Sequence, residues 1–385
     1  MRVLIIAYYF SDWRGGGSER NIADLGGYLM ARGDYCLVAV PSTARVQLLE
    51  ERNIPYVRVD GLRETSLRKF CVVVARMVSI IHEYKIDVQM IFTFRLLLHA
   101  FFASKIAICR SICRGKYKKI PVVVNAAMGW KPFERYLLWL FGLCSDRIIA
   151  LTAYCSQHMK KSIFTRHKVV LIYHGAHVDK FFPLWQKRLN DRMRIQQKEQ
   201  QVVGTVGRFT AQKAIHFLIE AAVSIVSEYK VRFLLVGEGQ EEENLRALVI
   251  RLGLGEKITF MSARDMTDVL GEIDIFVTTS VSEGMPQALI EAMTAGIPAV
   301  ATNIQGHSEL ILDGVTGILV PLGDTGKIAE AIKRLLADRQ LAFRMGELAN
   351  KRAVENFNLE VTFEKNRRLL YEVTNQQLPE GGSRT

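Results

Sequence analysis

Two glutamates eight positions apart, Glu283 and Glu291, are the residues of this 385-residue chain best suited to bind a polar substrate. They lie in SVSEGMPQALIEAMTAGIP, residues 280–298. The neighbours of Glu291 are almost all apolar, which predicts a helix that is buried on every side and carries a carboxylate inside it. A buried carboxylate is costly unless hydrogen-bond donors satisfy it. Those donors are either protein groups, such as a backbone N–H or an arginine, or the paired hydroxyls of a ligand such as a ribose.

The turn between the two glutamates has the features of a phosphate site. The strand DIFVTTS delivers the chain to this turn, Pro286 suits a first helical position, and Gly296 and Pro298 end the helix. The free N–H groups at the start of a helix form a positive end that favours anions. The predicted phosphate-binding turn comprises Gly284, Met285, Pro286, Gln287 and Ala288. Glu283, this turn and Glu291 would then follow one another from a catalytic centre to a bound nucleotide.

The surrounding sequence predicts an α/β protein of two domains. The length exceeds what one core usually serves, and short β-branched runs alternate with helical patterns in both halves. Such alternation predicts two doubly wound, Rossmann-like parallel sheets, with a ligand cleft between the domains. The predicted boundaries are residues 1–185 for an N-terminal domain, 186–360 for a C-terminal domain, 361–376 for a helix that packs back on the first domain, and 377–385 for a disordered tail.

The sequence also predicts a cytoplasmic protein without a membrane span. The N-terminal apolar run is short and meets Asp12 and Arg14, so it is typical of a first strand and not of a signal peptide. No uninterrupted apolar stretch reaches the roughly 18 residues that a spanning helix needs. The six cysteines lack metal-ligand spacing, which favours buried free thiols in a reducing compartment.

Several motifs in fixed order resemble the retaining glycosyltransferases of the GT4-type family, which have the GT-B fold. The segment GMPQALIEAMTAGIPAVAT followed by GHSELILDGVTGILVP is similar to the signature region of that family, in which two glutamates are separated by seven residues. The motifs GGGSERNIADLGGYLMARG, LIYHGAHVDKFFP, VGRFTAQKAIHFLIEA, LLVGEGQEEENLRALVIRLGL and FNLEVTFEKNRRLLYEV extend the resemblance over most of the chain.

By the resemblance, residues 1–185 are expected to bind the acceptor and residues 186–360 the nucleotide-sugar donor. The resemblance also implies roles for individual residues in binding that donor. Glu283 is expected to contact the hydroxyls of the donor sugar, and Glu291 to hold the ribose. Arg208 and Lys213, in GRFTAQK, are expected to neutralise the donor diphosphate. The glycine-rich loop and the nucleoside-binding positions are implied at Gly15, Gly16, Gly17, Gly237, Gly239 and Arg264.

The acceptor side departs from the family pattern. Met128 precedes Gly129 where many members carry a histidine near the reacting sugar, and Asn125 is the nearest polar candidate. Without an evident base, we expect front-face substitution, in which the leaving phosphate accepts the proton of the acceptor hydroxyl. No metal is expected, because Arg208, Lys213 and the helix terminus supply the positive charge.

The basic charge is confined to the first half of the chain. Residues 1–185 hold 27 Lys and Arg against 13 Asp and Glu, whereas the rest holds 24 against 26. Residues 95–119 combine an apolar helical face with five cations, which are Arg110, Arg114, Lys116, Lys118 and Lys119. This segment either packs on the sheet and ends in a solvated basic loop, or rests on an anionic membrane surface, where each cation contributes about 1 kcal/mol.

The sequence therefore predicts a retaining glycosyltransferase that uses a UDP- or GDP-sugar and a glycan or lipid-linked acceptor at the cytoplasmic face of a bacterial inner membrane. Its expected role is the synthesis of cell-surface polysaccharide or glycolipid. Three alternatives remain. A sugar-nucleotide epimerase on the same fold would form product from donor alone, and a scaffold would carry a dead active site. A nucleic-acid-binding protein would use the basic half, which lacks a recognisable recognition helix or aromatic residues interleaved on a basic strand.

Overall fold

The computed structural model describes residues 1–7, 17–64, 66–92, 96–113, 119–126, 138–191, 197–262 and 265–379. Several residues with predicted roles lie outside these ranges, and those roles stay predictions. They are Gly15, Gly16, Arg114, Lys116, Lys118, Met128, Arg264 and the last residues of the predicted tail.

The chain divides into two compact units. The first consists of Met1–Ile172 together with Glu360–Thr385, and the second is the continuous segment Tyr173–Leu359. The sequence placed the boundary near residue 185, where the composition becomes polar. The helix Val178–Asn190 runs through that point and buries Phe181 and Trp185 in the second unit. The first part of this polar stretch is therefore a helix that packs on the second unit.

The first unit is built on a seven-stranded sheet in the order β3-β2-β1-β4-β5-β6-β7. Every neighbouring pair is parallel. Its inner strands are rich in Val and Ile and are buried on both faces, as expected for a parallel sheet covered by helices. The strands are β1 Arg2–Ile6, β2 Tyr35–Pro41, β3 Tyr56–Val59, β4 Val88–Ile91, β5 Val122–Ala126, β6 Arg147–Ala150 and β7 Val169–Leu171.

The helices of the first unit alternate with these strands. They are Gly17–Ala31, Gln47–Glu50, Leu67–Glu83, Leu97–Cys113, Leu138–Cys144 and Ala153–Lys160. Side-chain caps begin two of them, because the Ser66 and Thr152 oxygens accept from the N–H groups of Lys69 and Cys155.

A last helix, Leu359–Thr374, adds the C-terminal segment to the first unit. Two of its side chains reach the buried carboxylate of Asp34. Arg367 Nε donates to Asp34 Oδ2 at 2.7 Å, and the Tyr371 hydroxyl donates to Asp34 Oδ1 at 2.6 Å. A buried carboxylate held by a cation and a hydroxyl anchors this helix next to the turn that precedes β2.

The second unit contains a six-stranded parallel sheet in the order β10-β9-β8-β11-β12-β13. The two parallel sheets confirm the predicted doubly wound architecture. The strands are β8 Gln201–Val206, β9 Val231–Val236, β10 Ile258–Met261, β11 Ile275–Thr278, β12 Ala299–Thr302 and β13 Ile318–Val320. The helices are Val178–Asn190, His216–Val226, Glu242–Arg251, Met266–Glu272, Gln287–Thr294, Gln305–Ser308, Thr325–Ala337 and Arg339–Asn356.

The strand order of the second sheet reverses between β8 and β11. From β8 the chain continues to β9 and β10 on one side, and it then crosses to β11 on the other side. At such a switch point the loops that follow the two central strands diverge and leave room for a ligand. The loop after β8 carries Arg208 and Lys213, and the loop after β11 carries Glu283.

Two of the cysteines differ from the expectation of buried thiols. Cys36, Cys144 and Cys155 are buried, whereas Cys71 and Cys109 are exposed. Both exposed cysteines lie on the outward sides of helices whose other faces pack on the sheet, so apolar neighbours in sequence did not imply burial. None of the helices in the described parts of the chain is long and apolar enough to cross a bilayer.

Candidate active site

The loops after β8 and β11 are joined by hydrogen bonds at the switch point. The Thr279 hydroxyl donates to the carbonyl oxygen of Lys213 at 3.1 Å. The N–H of Val281 donates to the carbonyl oxygen of Gln212 at 2.9 Å. Backbone and side chain together therefore hold the two loops in a fixed relation.

This arrangement brings together two of the three predicted catalytic residues. Lys213 Nζ lies 2.5 Å from Glu283 Oε1, and the two side chains are 21% and 13% exposed. The Ser280 hydroxyl donates to the same carboxylate oxygen at 3.0 Å. Arg208 is exposed on the same loop as Lys213, and it makes no ion pair with any residue that the structure describes. The structure thus places Lys213 against Glu283 and leaves the Arg208 guanidinium at the surface.

Gly237 and Gly239 support the loop that carries Arg208. A β-carbon at either glycine would collide with a backbone carbonyl, that of Gly207 in the first case and that of Phe209 in the second. The N–H of Phe209 also donates to the carbonyl of Glu238 at 2.8 Å. Only glycine permits this close approach of two backbones. The predicted contact of these glycines with the nucleoside stays a prediction.

The predicted phosphate-binding turn leads into the helix Gln287–Thr294. Pro286 precedes the helix by one residue instead of starting it, and its carbonyl accepts from the N–H groups of Leu289 and Ile290. The N–H groups of Gln287 and Ala288 belong to the first helical turn and have no acceptor within the helix. A β-carbon at Gly284 would meet no atom within 4 Å, so there is open space beside this turn.

Glu291 is 5% exposed, as its apolar neighbours predict. Leu289, Ile290, Ala292 and Met293 around it are fully buried. Gly296 follows the C-cap of this helix, its φ of 68° favours glycine, and a β-carbon there would collide with the ring of Trp185. The group that Glu291 binds stays a prediction.

The sequence analysis missed three residues beneath Glu283. Ser280, Thr302 and His307 are fully buried and linked by hydrogen bonds. Burial lowers the pKa of His307 to about 4. His307 stands within the quoted motif GHSELILDG, but neither periodicity nor spacing distinguishes a buried imidazole from an exposed one.

The predicted acceptor residues of the first unit are only partly described. Asn125 is the penultimate residue of β5 and is buried, and its Oδ1 has no hydrogen-bond partner among the described residues. A buried amide oxygen without a partner is costly and is suited to receive a donor. Gly17 is the first residue of the helix Gly17–Ala31.

Within the predicted membrane segment, residues 95–119, the structure describes the helix Leu97–Cys113, which has one buried and one exposed apolar face. Ala100, Ala103 and Ala107 are buried on the sheet, whereas Leu98, Phe102 and Ile106 are exposed. Lys105 and Arg110 are exposed on the same helix. Beyond it, Lys119 Nζ pairs with Asp146 at 2.5 Å, so this cation is engaged within the unit.

No group of three His, Cys, Asp or Glu side chains that could hold a metal ion occurs in the part of the chain that the structure describes. The candidate site consists of Lys213, Glu283, Ser280, the turn at residues 284–288 and Glu291, with Arg208 nearby on the first loop.

Two family models match the two halves of the chain. Residues 15–180 match Glycosyltransferase Family 4, and residues 200–338 match Glycosyl transferases group 1. The first match covers most of the first unit's sheet, and the second covers the whole sheet of the second unit with Lys213, Glu283 and Glu291.

Curated relatives and a solved structure agree with these matches. The lipopolysaccharide core biosynthesis glycosyltransferase LpsE of Rhizobium meliloti is 33% identical over 160 residues, 41% of this chain and 46% of that protein. The UDP-Gal:alpha-D-GlcNAc-diphosphoundecaprenol alpha-1,3-galactosyltransferase of Escherichia coli is 27% identical over 257 residues, 62% of this chain and 66% of that protein. The crystal structure of Anabaena Alr3699/HepE in complex with UDP has a TM-score of 0.79 at 23% identity, and the match covers 97% of this chain and 100% of that one.

The solved structure establishes the fold, and the family models and curated relatives establish the class of enzyme. The chain is a GT4-type glycosyltransferase with the GT-B fold.

Proposed function

We propose that this enzyme is a retaining glycosyltransferase that moves a sugar from a UDP- or GDP-sugar to a hydroxyl of a glycan or lipid-linked acceptor. The observation that carries the proposal is the Lys213–Glu283 pair at the switch point, where Nζ and Oε1 lie 2.5 Å apart and are followed by the buried Glu291. A cation beside a carboxylate suits the junction between a diphosphate and a sugar, and a second, buried carboxylate suits a pair of ribose hydroxyls.

The names of the relatives support the choice of donor and pathway. HepE was solved with UDP, the E. coli relative takes UDP-Gal and a diphosphoundecaprenol-linked sugar, and LpsE acts in lipopolysaccharide core synthesis. By analogy, the proposed role is the synthesis of bacterial cell-surface polysaccharide or glycolipid, with UDP-sugars as the donors to test first.

The proposed chemistry is a front-face substitution. The bond between the sugar carbon C1 and the donor phosphate oxygen breaks, and a bond from C1 to the acceptor oxygen forms on the same face. The leaving phosphate takes the proton of the acceptor hydroxyl. Negative charge grows on that phosphate as the bond breaks, so cations held there stabilise the transition state more than the ground state.

In this scheme Lys213 has two simultaneous partners. An ammonium group has three N–H donors, so Nζ can keep its bond to Glu283 and donate to a phosphate oxygen as well. Arg208 would turn toward the same phosphate from its exposed position. The N–H groups of Gln287 and Ala288 would receive the other phosphate. These groups supply the positive charge that a metal ion supplies in other transferases.

The proposed acceptor residues lie in the first unit. Asn125, whose Oδ1 has no hydrogen-bond partner among the described residues, would accept from an acceptor hydroxyl. For a lipid-linked acceptor, the exposed Phe102 and Ile106 with Lys105 and Arg110 would rest on an anionic membrane surface.

The test is a transfer assay with a panel of UDP- and GDP-sugars and a short-chain lipid diphosphate sugar as acceptor. Thermal shift selects the donor first, because a ligand at 100 times its dissociation constant adds about 2.7 kcal/mol of stability. The anomeric coupling constant of the product then gives the stereochemistry, and we expect retention that persists in EDTA. An inverted product would contradict the retaining mechanism, and a new sugar nucleotide formed from donor alone would indicate an epimerase.

A further inference from the structure

A buried polar network lies under the loop that carries Glu283. His307 and Thr302 are fully buried, as is Ser280. His307 Nδ1 lies 2.7 Å from the carbonyl oxygen of Thr302, and the Thr302 hydroxyl donates to the carbonyl oxygen of Ser280 at 2.7 Å. The last ladder pair between β11 and β12 joins Thr278 and Ala301. The network therefore continues the connection between the two strands beyond the end of the sheet.

The partners of His307 fix its proton position. A carbonyl oxygen can only accept, so the Nδ1 atom must carry the hydrogen that reaches Thr302. The Nε2 atom is then free to accept from the Thr278 hydroxyl, whose oxygen lies 3.4 Å away. The neutral imidazole satisfies both contacts. Burial keeps it neutral at ordinary pH, and the charges that face it, Glu283 and Lys213, act on its pKa in opposite directions.

This network leads to the proposed sugar-binding carboxylate in two ways. The Ser280 backbone is held by Thr302, and the Ser280 hydroxyl donates to Glu283 Oε1 at 3.0 Å. Gly306, next to His307, packs on the backbone of the same loop. A β-carbon on Gly306 would lie 2.5 Å from the carbonyl oxygen of Glu283 and 2.6 Å from that of Gly284.

The two contacts of Glu283 occupy the same carboxylate oxygen. Oε1 accepts from both Ser280 and Lys213, while Oε2 receives no hydrogen bond from the residues that the structure describes. A carboxylate oriented in this manner can present Oε2 to a hydroxyl of the donor sugar without losing its other bonds.

We propose that His307 is a positioning residue, which holds the Thr302–Ser280 connection and thereby sets the orientation of the Glu283 carboxylate toward the donor sugar. The proposal rests on the proposed function of Glu283. It differs from simple core packing because the hydrogen bonds of His307, and not its volume, are required.

The test compares variants that separate hydrogen bonding from volume. His307→Leu fills the space without a donor, whereas His307→Asn can place an N–H near the position of Nδ1. Thr302→Val removes the hydroxyl that reaches Ser280, and Thr302→Ser keeps it. Thr294→Val is the matched control, because Thr294 is equally buried but its hydroxyl bonds only within its own helix, to Ile290.

We expect kcat to fall roughly 10- to 100-fold in His307→Leu and Thr302→Val, as for a small misplacement of a reacting group. KM should change much less, and His307→Asn and Thr302→Ser should recover most of kcat. Thr294→Val should keep kcat even if it lowers stability. If the Leu and Val variants fold and keep wild-type kcat, or if Asn and Ser recover nothing, the positioning role is overturned.

A second readout does not depend on activity. Imidazole nitrogen shifts of labelled protein, assigned by comparison with His307→Asn, should show His307 as the neutral form with hydrogen on Nδ1. A hydrogen on Nε2, or a charged ring at pH 7, would overturn the proposed network. Glu283→Gln separates this inference from the proposed function. If Glu283→Gln keeps full kcat, the role of Glu283 fails even where the NMR result supports the network.

Discussion

Lys213 and Glu283 form an ion pair, with Nζ 2.5 Å from Oε1, although 70 positions separate them in the sequence. Their loops follow β8 and β11, which are adjacent strands at the point where the strand order of the second sheet reverses. The topology therefore delivers a cation and a carboxylate to the same place. Each side chain keeps the other oriented before a substrate is bound.

Replacing Lys213 by Met should lower activity far more than stability. The change keeps most of the side-chain volume and removes the charge. We expect kcat/KM to fall roughly 100- to 1000-fold, the range for losing one transition-state donor. The free energy of unfolding should change by about 1 kcal/mol, because the pair is partly exposed. Lys327→Met, which breaks an exposed pair with Glu330 in the same unit, should leave kcat/KM unchanged, and an equal loss in both variants would contradict the assignment.

Replacing Glu291 by Gln should weaken nucleotide binding. Gln preserves the shape of a side chain that is 5% exposed but removes the charge that favours two hydroxyl donors. Because hydrogen bonds to a charged group are stronger than those to a neutral one, we expect the dissociation constant for UDP to rise roughly 10- to 100-fold in the variant. Isothermal titration calorimetry measures this constant. The exposed Glu347→Gln on the helix Arg339–Asn356 is the control. An unchanged dissociation constant in a folded Glu291→Gln protein would remove the ribose assignment.

Gly306→Ala should disturb the site through the backbone. The new β-carbon would lie 2.5 Å from the carbonyl oxygen of Glu283, so one of the two segments must move. We expect a loss of about 1 to 3 kcal/mol in the free energy of unfolding in urea, together with a lower kcat. Gly255→Ala, where a β-carbon meets no atom within 4 Å, should change neither quantity appreciably. A fully active and stable Gly306→Ala protein would show that the two segments can move apart without disturbing the site, which would contradict this prediction.

The stability of the protein should depend on His307 at acidic pH. Burial lowers the pKa of His307 to about 4, below its ordinary value of 6.5. Above pH 6.5 the ring is neutral in both folded and unfolded chains. Between pH 6.5 and pH 4 mainly the unfolded chain gains the proton. The free energy of unfolding therefore falls as the pH falls, by up to about 3 kcal/mol. Urea unfolding at pH 7 and pH 5 should show a smaller loss in His307→Asn than in the wild type, and equal losses would contradict this account.

The helix Leu97–Cys113 should mediate binding to anionic vesicles. Replacing both Lys105 and Arg110 by Ala removes about 2 kcal/mol of attraction, which is roughly a 30-fold weaker partition coefficient in sedimentation with phosphatidylglycerol vesicles. Replacing Arg344 and Lys351, two exposed cations of the second unit, should have little effect. If wild-type protein binds neutral and anionic vesicles equally, or if both pairs matter equally, this surface is not the contact.

The sequence predicted what depends on local pattern. Alternating β-branched and helical segments gave both parallel sheets, and the apolar neighbours of Glu291 gave its burial, because periodicity and composition act over a few residues. Trp185 shows that local composition alone does not predict where a helix packs. Its polar surroundings in the sequence led to a predicted domain boundary at this residue, yet the Trp185 ring packs against Gly296 and Phe343.

Contacts between distant segments could not be predicted in this manner. The Lys213–Glu283 pair depends on the order of the strands, which local periodicity does not encode. The network around His307 depends on three segments that meet only in the folded unit, namely the ends of β11 and β12 and the turn at Gln305–Ser308. A single sequence does not show whether a histidine is buried and hydrogen-bonded or exposed at the surface.

The anchoring of the helix Leu359–Thr374 at Asp34 affects the order in which the protein can fold during synthesis. The second unit is one continuous segment, so all of its contacts are available once Leu359 has left the ribosome. Asp34 already lies 3.1 Å from the N-terminal ammonium of Met1, but it gains its bonds to Arg367 and Tyr371 only when the last helix has been made. A ribosome therefore releases the second unit complete, while the first unit stays without its last helix until synthesis has passed Tyr371.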